Sequence, residues 1–466
     1  MRLGGRPGRR ASGGAATARA HGMIRRLRHW LHRRRHRQRY ALLDGLLRHQ
    51  ALSREQVLRR QQQDLAAIVA HAVSNTAYYR EKFAAAVGQG GGAPGIGALP
   101  LLRKDDVIRH MDDLLDRNAD RSQVKVGHTG GSTGTPLAFY YDDAKHELMR
   151  AGMIRSYMMS GWRPGEKILN FWGARQDVRA DGVFGGQYAD AIAAEKTIAA
   201  YEYTEAQLRD WAAAIRAYRP VLLQGYASIL AEVARYVVVA GMRMPATLRG
   251  VYSTAEVLDD RQRELMQRAF GCKVFNQYGS REIPNIACEC RHGNLHVFTD
   301  MVHLEAVPLD GEDRLVVTSL TNRLMPFIRY DIGDSGRLKE GGCACGSPFP
   351  LMEMGMCRRN DLIRTRGGKS VHPSYFNRLL YGQTQIGQYQ FVQDEPDKIT
   401  LNVVAGTKLS AATASSLAQS IRRDVDAGMA FELNYVDEIK RTASGKHRFV
   451  ISSVSRAEAG ERPVGA

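Results

Sequence analysis

Acidic residues are missing from the first 43 positions of this chain of 466 residues, whereas thirteen arginines fall between Arg2 and Arg39. Of the formal net charge of +18, only about +5 is left for everything that follows. The body is therefore mildly basic. It also lacks an aromatic-interleaved basic platform, so nucleic acid is not the expected partner. No run approaches 18 consecutive apolar residues, and no apolar signal segment with a cleavage site precedes the body. These absences argue against a membrane-spanning helix and lead us to expect a cytoplasmic protein. Six cysteines are too few for a disulfide scaffold.

Residues 1–43, rich in Arg, Gly and Ala, offer little to bury, and the composition predicts a basic disordered tail. Their acid-free character also fits an organelle transit peptide, and Met23 is an equally good start. The spacing of Leu27, Trp30 and Leu31 allows one short amphipathic basic helix and a weak contact with a membrane surface.

The chain as a whole is 44% apolar and 24% charged, enough for a large core and a smaller domain. Helical periodicity over residues 44–86 gives way to helical stretches (205–218, 228–240) that alternate with short apolar runs (167–171, 221–224, 248–252, 273–276). That alternation predicts an α/β domain. Strand-like pieces at 302–307 and 314–318 predict a β-rich subdomain, and the last hundred residues a small α+β unit. The expected division is a large domain over 44–357, a small C-terminal domain over 358–454 and a tail over 455–466.

His128-Thr-Gly-Gly-Ser-Thr-Gly-Thr-Pro136 follows a strand and combines glycines with hydroxyls, a loop suited to wrapping phosphate oxygens. The lysine of a Walker loop is absent, so a compensating cation must come from elsewhere. Further on come Gln277-Tyr-Gly-Ser-Arg-Glu282, Arg329-Tyr-Asp-Ile-Gly-Asp334 and Arg441-Thr-Ala-Ser-Gly-Lys446. In this order and at these separations, the four segments resemble the signature set of the adenylate-forming superfamily. Within it the chain looks most like the phenylacetate-CoA ligase branch and its CapK-like members, over about residues 78–453. Tyr78-Tyr-Arg-Glu-Lys-Phe83, Leu99-Pro-Leu-Leu-Arg-Lys104, Ser253-Thr-Ala-Glu256 and Gly293-Asn-Leu-His296 carry that narrower likeness.

The resemblance implies that Thr129, Gly130, Gly131, Ser132, Thr133 and Gly134 form the loop that steadies the ATP phosphates. It implies that Glu282 positions Mg²⁺, that Tyr278 lies against adenine or the acyl pocket with Gly279 and Ser280 also in the ATP site, and that Ala255 and Glu256 help form the adenine slot. Asp334 would accept from the ribose hydroxyls and Arg358 contact ribose or phosphate. Lys446 matches the mobile lysine that neutralises charge as an oxygen attacks the α-phosphorus. The family segment Gly-Arg-x-Asp-Asp reads Cys357-Arg-Arg-Asn-Asp361 here, so Asn360 takes the usual hinge position, and Arg281 replaces a small residue before the acid.

Cys288-Glu-Cys290-Arg-His292 and Cys343-Ala-Cys345 are two close pairs of soft ligands about fifty residues apart, a pattern that suits a closed, structural Zn²⁺ site in a knuckle-like insertion over about 286–346. The expected set is Cys290, His292, Cys343 and Cys345, with Cys288 or His296 as alternates. The expected activity is ATP- and Mg²⁺-dependent activation of a small-molecule carboxylic acid through an acyl-adenylate, then transfer of the acyl group, by default to CoA. Transfer to an amine or a sugar hydroxyl, and a non-catalytic nucleotide-binding scaffold, are the alternatives.

Overall fold

The computed structural model describes residues 12–87, 95–129, 137–172, 194–200, 202–256, 258, 260–309, 312–355, 362–371, 373–380, 383, 385–439 and 449–454. The chain opens with helices α1 (Ser12–Arg35), α2 (Arg37–Gln50), α3 (Arg54–Asn75) and α4 (Ala77–Val87). Ser53 starts α3 with a capping box, its hydroxyl accepting from the Gln56 amide while the Gln56 side chain accepts from the Ser53 amide.

Of the disordered tail expected over 1–43, residues 1–11 lie outside the described residues, and residues 12–43 differ from the expectation in forming α1 and the first half of α2. Tyr40, Leu43 and Leu46 of α2 are buried in the main core, each worth about 1.5–3 kcal/mol when fully removed from water. Arg39 is buried with them and forks onto Glu147, at 2.7 and 3.0 Å. Composition missed this because the arginines face outward or find acids far along the chain, while a few apolar residues suffice to dock the helix.

Three histidines lie along this join. Burial, with Arg33 and Arg25 nearby and Asp44 opposing, lowers the pKa of His29. Burial, with His36, Arg39, Arg150 and His29 around it, takes His32 down to about 3. Burial and Arg39, opposed by Glu147, take His36 down to about 4. Below the ordinary histidine pKa of about 6.5 the undocked segment binds protons that the docked one refuses, so docking weakens as pH falls toward 4. Limited trypsin digestion after Arg33–Arg39 is expected to be slow at pH 7.5; at acid pH, an acid-active protease should cut there faster than elsewhere in the chain.

After helix α5 (Lys104–Arg109), strands β1 (Lys125–His128) and β2 (Ala138–Tyr141) pair antiparallel, with Lys125 opposite Tyr141 and His128 opposite Ala138. Helix α6 (Asp143–Met159) follows, capped by Asp142, whose carboxylate accepts from the Lys145 amide.

Among the described residues the central sheet has eleven strands. Its parallel part is β3 (Ile168–Trp172), β4 (Glu195–Ala199), β6 (Leu222–Tyr226), β7 (Gly250–Thr254) and β8 (Lys273–Tyr278), in spatial order β4-β3-β6-β7-β8; β5 (Glu202–Tyr203) lies apart. β6 and β7 are buried at every position, as expected for parallel strands covered on both faces. Helices Glu205–Tyr218, Ala227–Val239 and Asp260–Phe270 build one core with these strands, and α2 and α6 contribute to a second.

Antiparallel strands extend the sheet: β9 (Ala287–Glu289), β10 (Leu295–Val297), β11 (Val302–Leu309), β12 (Glu312–Ser319), β13 (Tyr330–Lys339) and β14 (Leu351–Met354), ordered β8-β9-β10-β14-β13-β12-β11. This is the mixed α/β domain with a β-rich part that the sequence predicts.

A third core is made only of residues from Ile363 to Val450. It joins the short hairpin β15 (Ile363–Arg364) and β16 (Ser370–Val371) to β17 (Ile386–Glu395), β18 (Lys398–Ala405), β19 (Ala430–Tyr435) and β20 (Val450–Ser452). The four long strands order as β19-β18-β17-β20, with helix Ala411–Asp424 packed against them. β16 also pairs with β5, Ser370 opposite Tyr203 and Val371 opposite Glu202, which ties this unit to the large domain. Gly367-Gly-Lys369 forms the turn of the hairpin, with Gly368 at φ +74°.

Candidate active site and metal centre

The carboxyl ends of β6, β7 and β8 lie side by side, the place where open α/β sheets receive ligands. β7 ends in Thr254, then Ala255 at φ +67°, a left-handed conformation that costs an alanine of order 1–3 kcal/mol and that clusters at functional sites. Beyond it Glu256 accepts, through its carboxylate, the Ser228 amide at 2.8 Å, at the start of helix Ala227–Val239. Thr254 donates from its hydroxyl to Gln277 at 2.6 Å, locking the end of β7 to β8.

β8 ends in Tyr278, whose phenol donates to Asp334 of β13 at 3.1 Å. Two residues 56 positions apart, both assigned to the nucleotide site from sequence, are thus brought into contact. Gly279 follows where a Cβ would meet the Asn285 amide nitrogen at 2.9 Å, so a larger residue would displace the turn. Ser280 closes that turn: its amide donates to the Ile283 carbonyl at 2.9 Å, and its hydroxyl accepts from the Ile283 amide at 3.0 Å.

Glu282 sits in this turn and is only 5% exposed, and its Oε2 has no hydrogen-bond partner among the described residues. A buried carboxylate oxygen left unpartnered costs about 1–3 kcal/mol or more, and its chemistry fits a hard cation such as Mg²⁺.

Lys145 of α6 is buried next to it and was not singled out from sequence. Its ammonium donates to the Glu282 backbone carbonyl at 2.7 Å and lies 4.7 Å from the centre of the Phe139 ring. Burial pulls its pKa down to about 8, with Glu282 and Asp142 opposing. No local motif marks it, since a lysine after a helix cap reads as solvated.

The Gly-rich loop is carried by the β1–β2 hairpin. The Thr129 amide donates to the Leu137 carbonyl at 2.8 Å, and the Leu137 amide to the Thr129 hydroxyl at 3.0 Å, which closes the base of the loop. Arg281 donates to the His128 carbonyl at 3.2 Å, joining that base to the turn holding Glu282. Gly130, Gly131, Ser132, Thr133 and Gly134 lie outside the described residues, as do Arg358, Asn360 and Lys446.

The soft ligands converge elsewhere, between the β9–β10 turn and the β13–β14 connection. One ligand atom each of Cys290, His296, Cys343 and Cys345 lies within 4.8 Å of the others. Cys290 Sγ is 3.6 Å from Cys343 Sγ, and Cys345 Sγ is 3.3 Å from His296 Nε2. Ligands 2.0–2.3 Å from a tetrahedral Zn²⁺ stand about 3.5–3.8 Å apart, so the cluster is already close to that geometry. The His296 Nδ1 contacts the Phe349 carbonyl at 3.3 Å, an arrangement that turns the Nε2 lone pair toward the sulfurs. N–H groups of His292, Asn294, Cys345 and Ser347 point at the sulfurs, at 3.3–3.5 Å.

One member of the expected set and one alternate lie outside the cluster. His292 lies on the exposed β9–β10 turn, its ring in contact with Arg291 at 3.2 Å, and only its amide reaches Cys290. His296 takes its place. Cys288, an alternate, is fully buried among Ser156 and Tyr252, and burial pushes its thiol up to about 12.

The sequence model of the CapK C-terminal domain matches residues 362–453. Protein CapK of Staphylococcus aureus is 24% identical over 376 residues, covering 77% of this chain and 80% of the relative. A phenylacetate-coenzyme A ligase of Thermus thermophilus is 28% identical over 365 residues, 74% of this chain and 79% of the relative. In fold, the chain resembles a solved 2-hydroxyisobutyryl-CoA ligase in its postadenylation state, with a TM-score of 0.56, 18% identity and coverage of 89% and 93%. The chain is thus related to CapK and to phenylacetate-coenzyme A ligases, and it shares the fold of the solved acyl-CoA ligase. It stands with the phenylacetate-CoA ligase and CapK-like members and is an enzyme of the AMP-forming ligase class.

Proposed function

We propose that this protein converts a carboxylic acid and ATP to an acyl-adenylate and pyrophosphate, and then passes the acyl group to coenzyme A. The observation that carries the reading is the buried, half-unpartnered carboxylate of Glu282 at the crest, joined through Arg281 to the base of the phosphate hairpin. The names of the relatives supply the acceptor, since several are phenylacetate-coenzyme A ligases.

In this reading the Tyr278–Asp334 pair holds the nucleoside, with the free lone pairs of Asp334 toward the ribose hydroxyls. Glu256 keeps the Ala255 turn in place from behind. Loop residues 129–134 receive the β- and γ-phosphates, and Glu282 would hold Mg²⁺, which when bound offsets phosphate charge. Lys145 fixes the backbone of Glu282 and adds a positive charge beneath it. The acid's oxygen attacks the α-phosphorus as pyrophosphate departs, with Lys446 neutralising the developing charge. The acceptor then attacks the acyl carbon and AMP leaves. Cys290, His296, Cys343 and Cys345 would hold Zn²⁺; four protein ligands leave no open position, so its role is structural.

The alternative acceptor class expected from the sequence is an amine or a sugar hydroxyl. Incubation with ATP, Mg²⁺ and a panel of aryl, fatty and hydroxy acids, with and without CoA, separates the two. Thioester and stoichiometric AMP appearing only with CoA are expected. Acyl-adenylate that accumulates and is not discharged by CoA would move the acceptor to the second class.

A further inference from the structure

We infer that α1 docks this protein onto an anionic membrane surface through an apolar stripe on its solvent side. At 100° per residue, Trp30, Met23, Leu27, Leu31 and Ile24 fall within a stripe about 120° wide. Four of them are exposed: Met23 at 70%, Leu27 at 55%, Trp30 at 54% and Ile24 at 46%. The opposite face meets the body. Arg25 donates to the Pro164 carbonyl at 3.4 Å, the ring of His29 stands 5.3 Å from that of Tyr40, and His32 is 2.9 Å from the Tyr40 hydroxyl. The α1 backbone approaches so closely that a Cβ on Gly165 would strike the Arg25 carbonyl. The stripe thus faces away from the protein because the other side is held.

Arginines border the stripe. Arg26 lies along one edge, together with Arg33, which is paired to Asp44; Arg28 and Arg35 lie along the other, and Arg34 stands in the last turn with its guanidinium 5.5 Å from the Trp30 ring. No acidic residue occurs anywhere on the helix. An amphipathic helix with an apolar ridge and an arginine border lies in the plane of a lipid interface, the ridge among acyl chains and the cations at anionic headgroups. A second copy fits poorly, because two acid-free helices would bring their arginines together. Nucleic acid would use the arginines but leave the ridge in water. No described helix is long and apolar enough to cross a membrane, so the contact is one of lying on the surface.

The test is flotation of the full chain with vesicles of phosphatidylcholine alone and of phosphatidylcholine with phosphatidylglycerol, at two salt concentrations. Binding to the anionic vesicles only, weakened by salt, is expected. The double variant Leu27→Glu, Trp30→Glu should lower it about tenfold or more, and Arg26→Gln, Arg28→Gln and Arg34→Gln about fivefold each. ATP-dependent acid activation in solution should be unchanged in all of them, which separates lost docking from lost folding and from failure of the ligase reading. Absence of binding to anionic vesicles at low salt would overturn the inference. So would binding that survives Leu27→Glu, Trp30→Glu, or a concentration-dependent dimer that the same double variant abolishes.

Discussion

Replacing Glu282 by alanine is expected to lower ATP-dependent activation of the acid by about 10²–10³-fold, the usual effect of removing a preorganised group from the place where charge develops. The side chain is buried at the end of a turn fixed by the Ser280–Ile283 hydrogen bonds, and one carboxylate oxygen has no partner among the described residues. That oxygen is retained at an energetic cost, which a structural acid would not need. Alanine removes that cost but also the negative charge facing the buried Lys145 ammonium, so Glu282→Ala should remain folded while its turnover falls. A large loss of stability together with activity would instead make Glu282 a structural residue.

Lys145 supplies a companion test. With its pKa drawn down to about 8, the ammonium is charged at neutral pH and loses its proton as pH rises through that value. Activity that depends on this charge should decline above pH 8, and Lys145→Met should lower activity at pH 7 and remove that alkaline limb. An unchanged alkaline limb in Lys145→Met would assign it to another group.

The second large effect concerns the soft-ligand cluster. Purified protein is expected to contain about one zinc per chain, and Cys343→Ser or His296→Ala to lose it together with several kcal/mol of stability. Metal binding to such sites is coupled directly to folding. His292→Ala should retain the metal, because its ring lies outside the cluster and only its amide is used. Metal analysis and thermal melts of the three variants check this. Zinc loss in His292→Ala with retention in His296→Ala would reverse the assignment of ligands.

Much of this site is legible in the sequence because its residues lie in short runs whose local geometry follows from their order. The Gly-Ser turn before Glu282 and the strand-end tyrosine are local features, and the α/β alternation gives the sheet on which they stand. What escaped depends on contacts between distant segments. Lys145 becomes notable only when α6 brings it beneath Glu282, 137 positions away. Which histidine joins the three cysteines is decided by the antiparallel pairing of β9 and β10, which places His296 opposite Cys288 and leaves His292 on the turn. Spacing alone favours the nearer histidine. The first two helices escaped for another reason: Arg39 is buried against an acid 108 positions later, and composition cannot anticipate such a partner.

The most direct measurement of the central claim is exchange of labelled pyrophosphate into ATP in the presence of aryl, fatty and hydroxy acids. Exchange that requires an acid, and is lost in both Glu282→Ala and Lys446→Ala, is the predicted result. ATP binding without exchange for every acid tried would contradict acyl-adenylate formation as the work of this site.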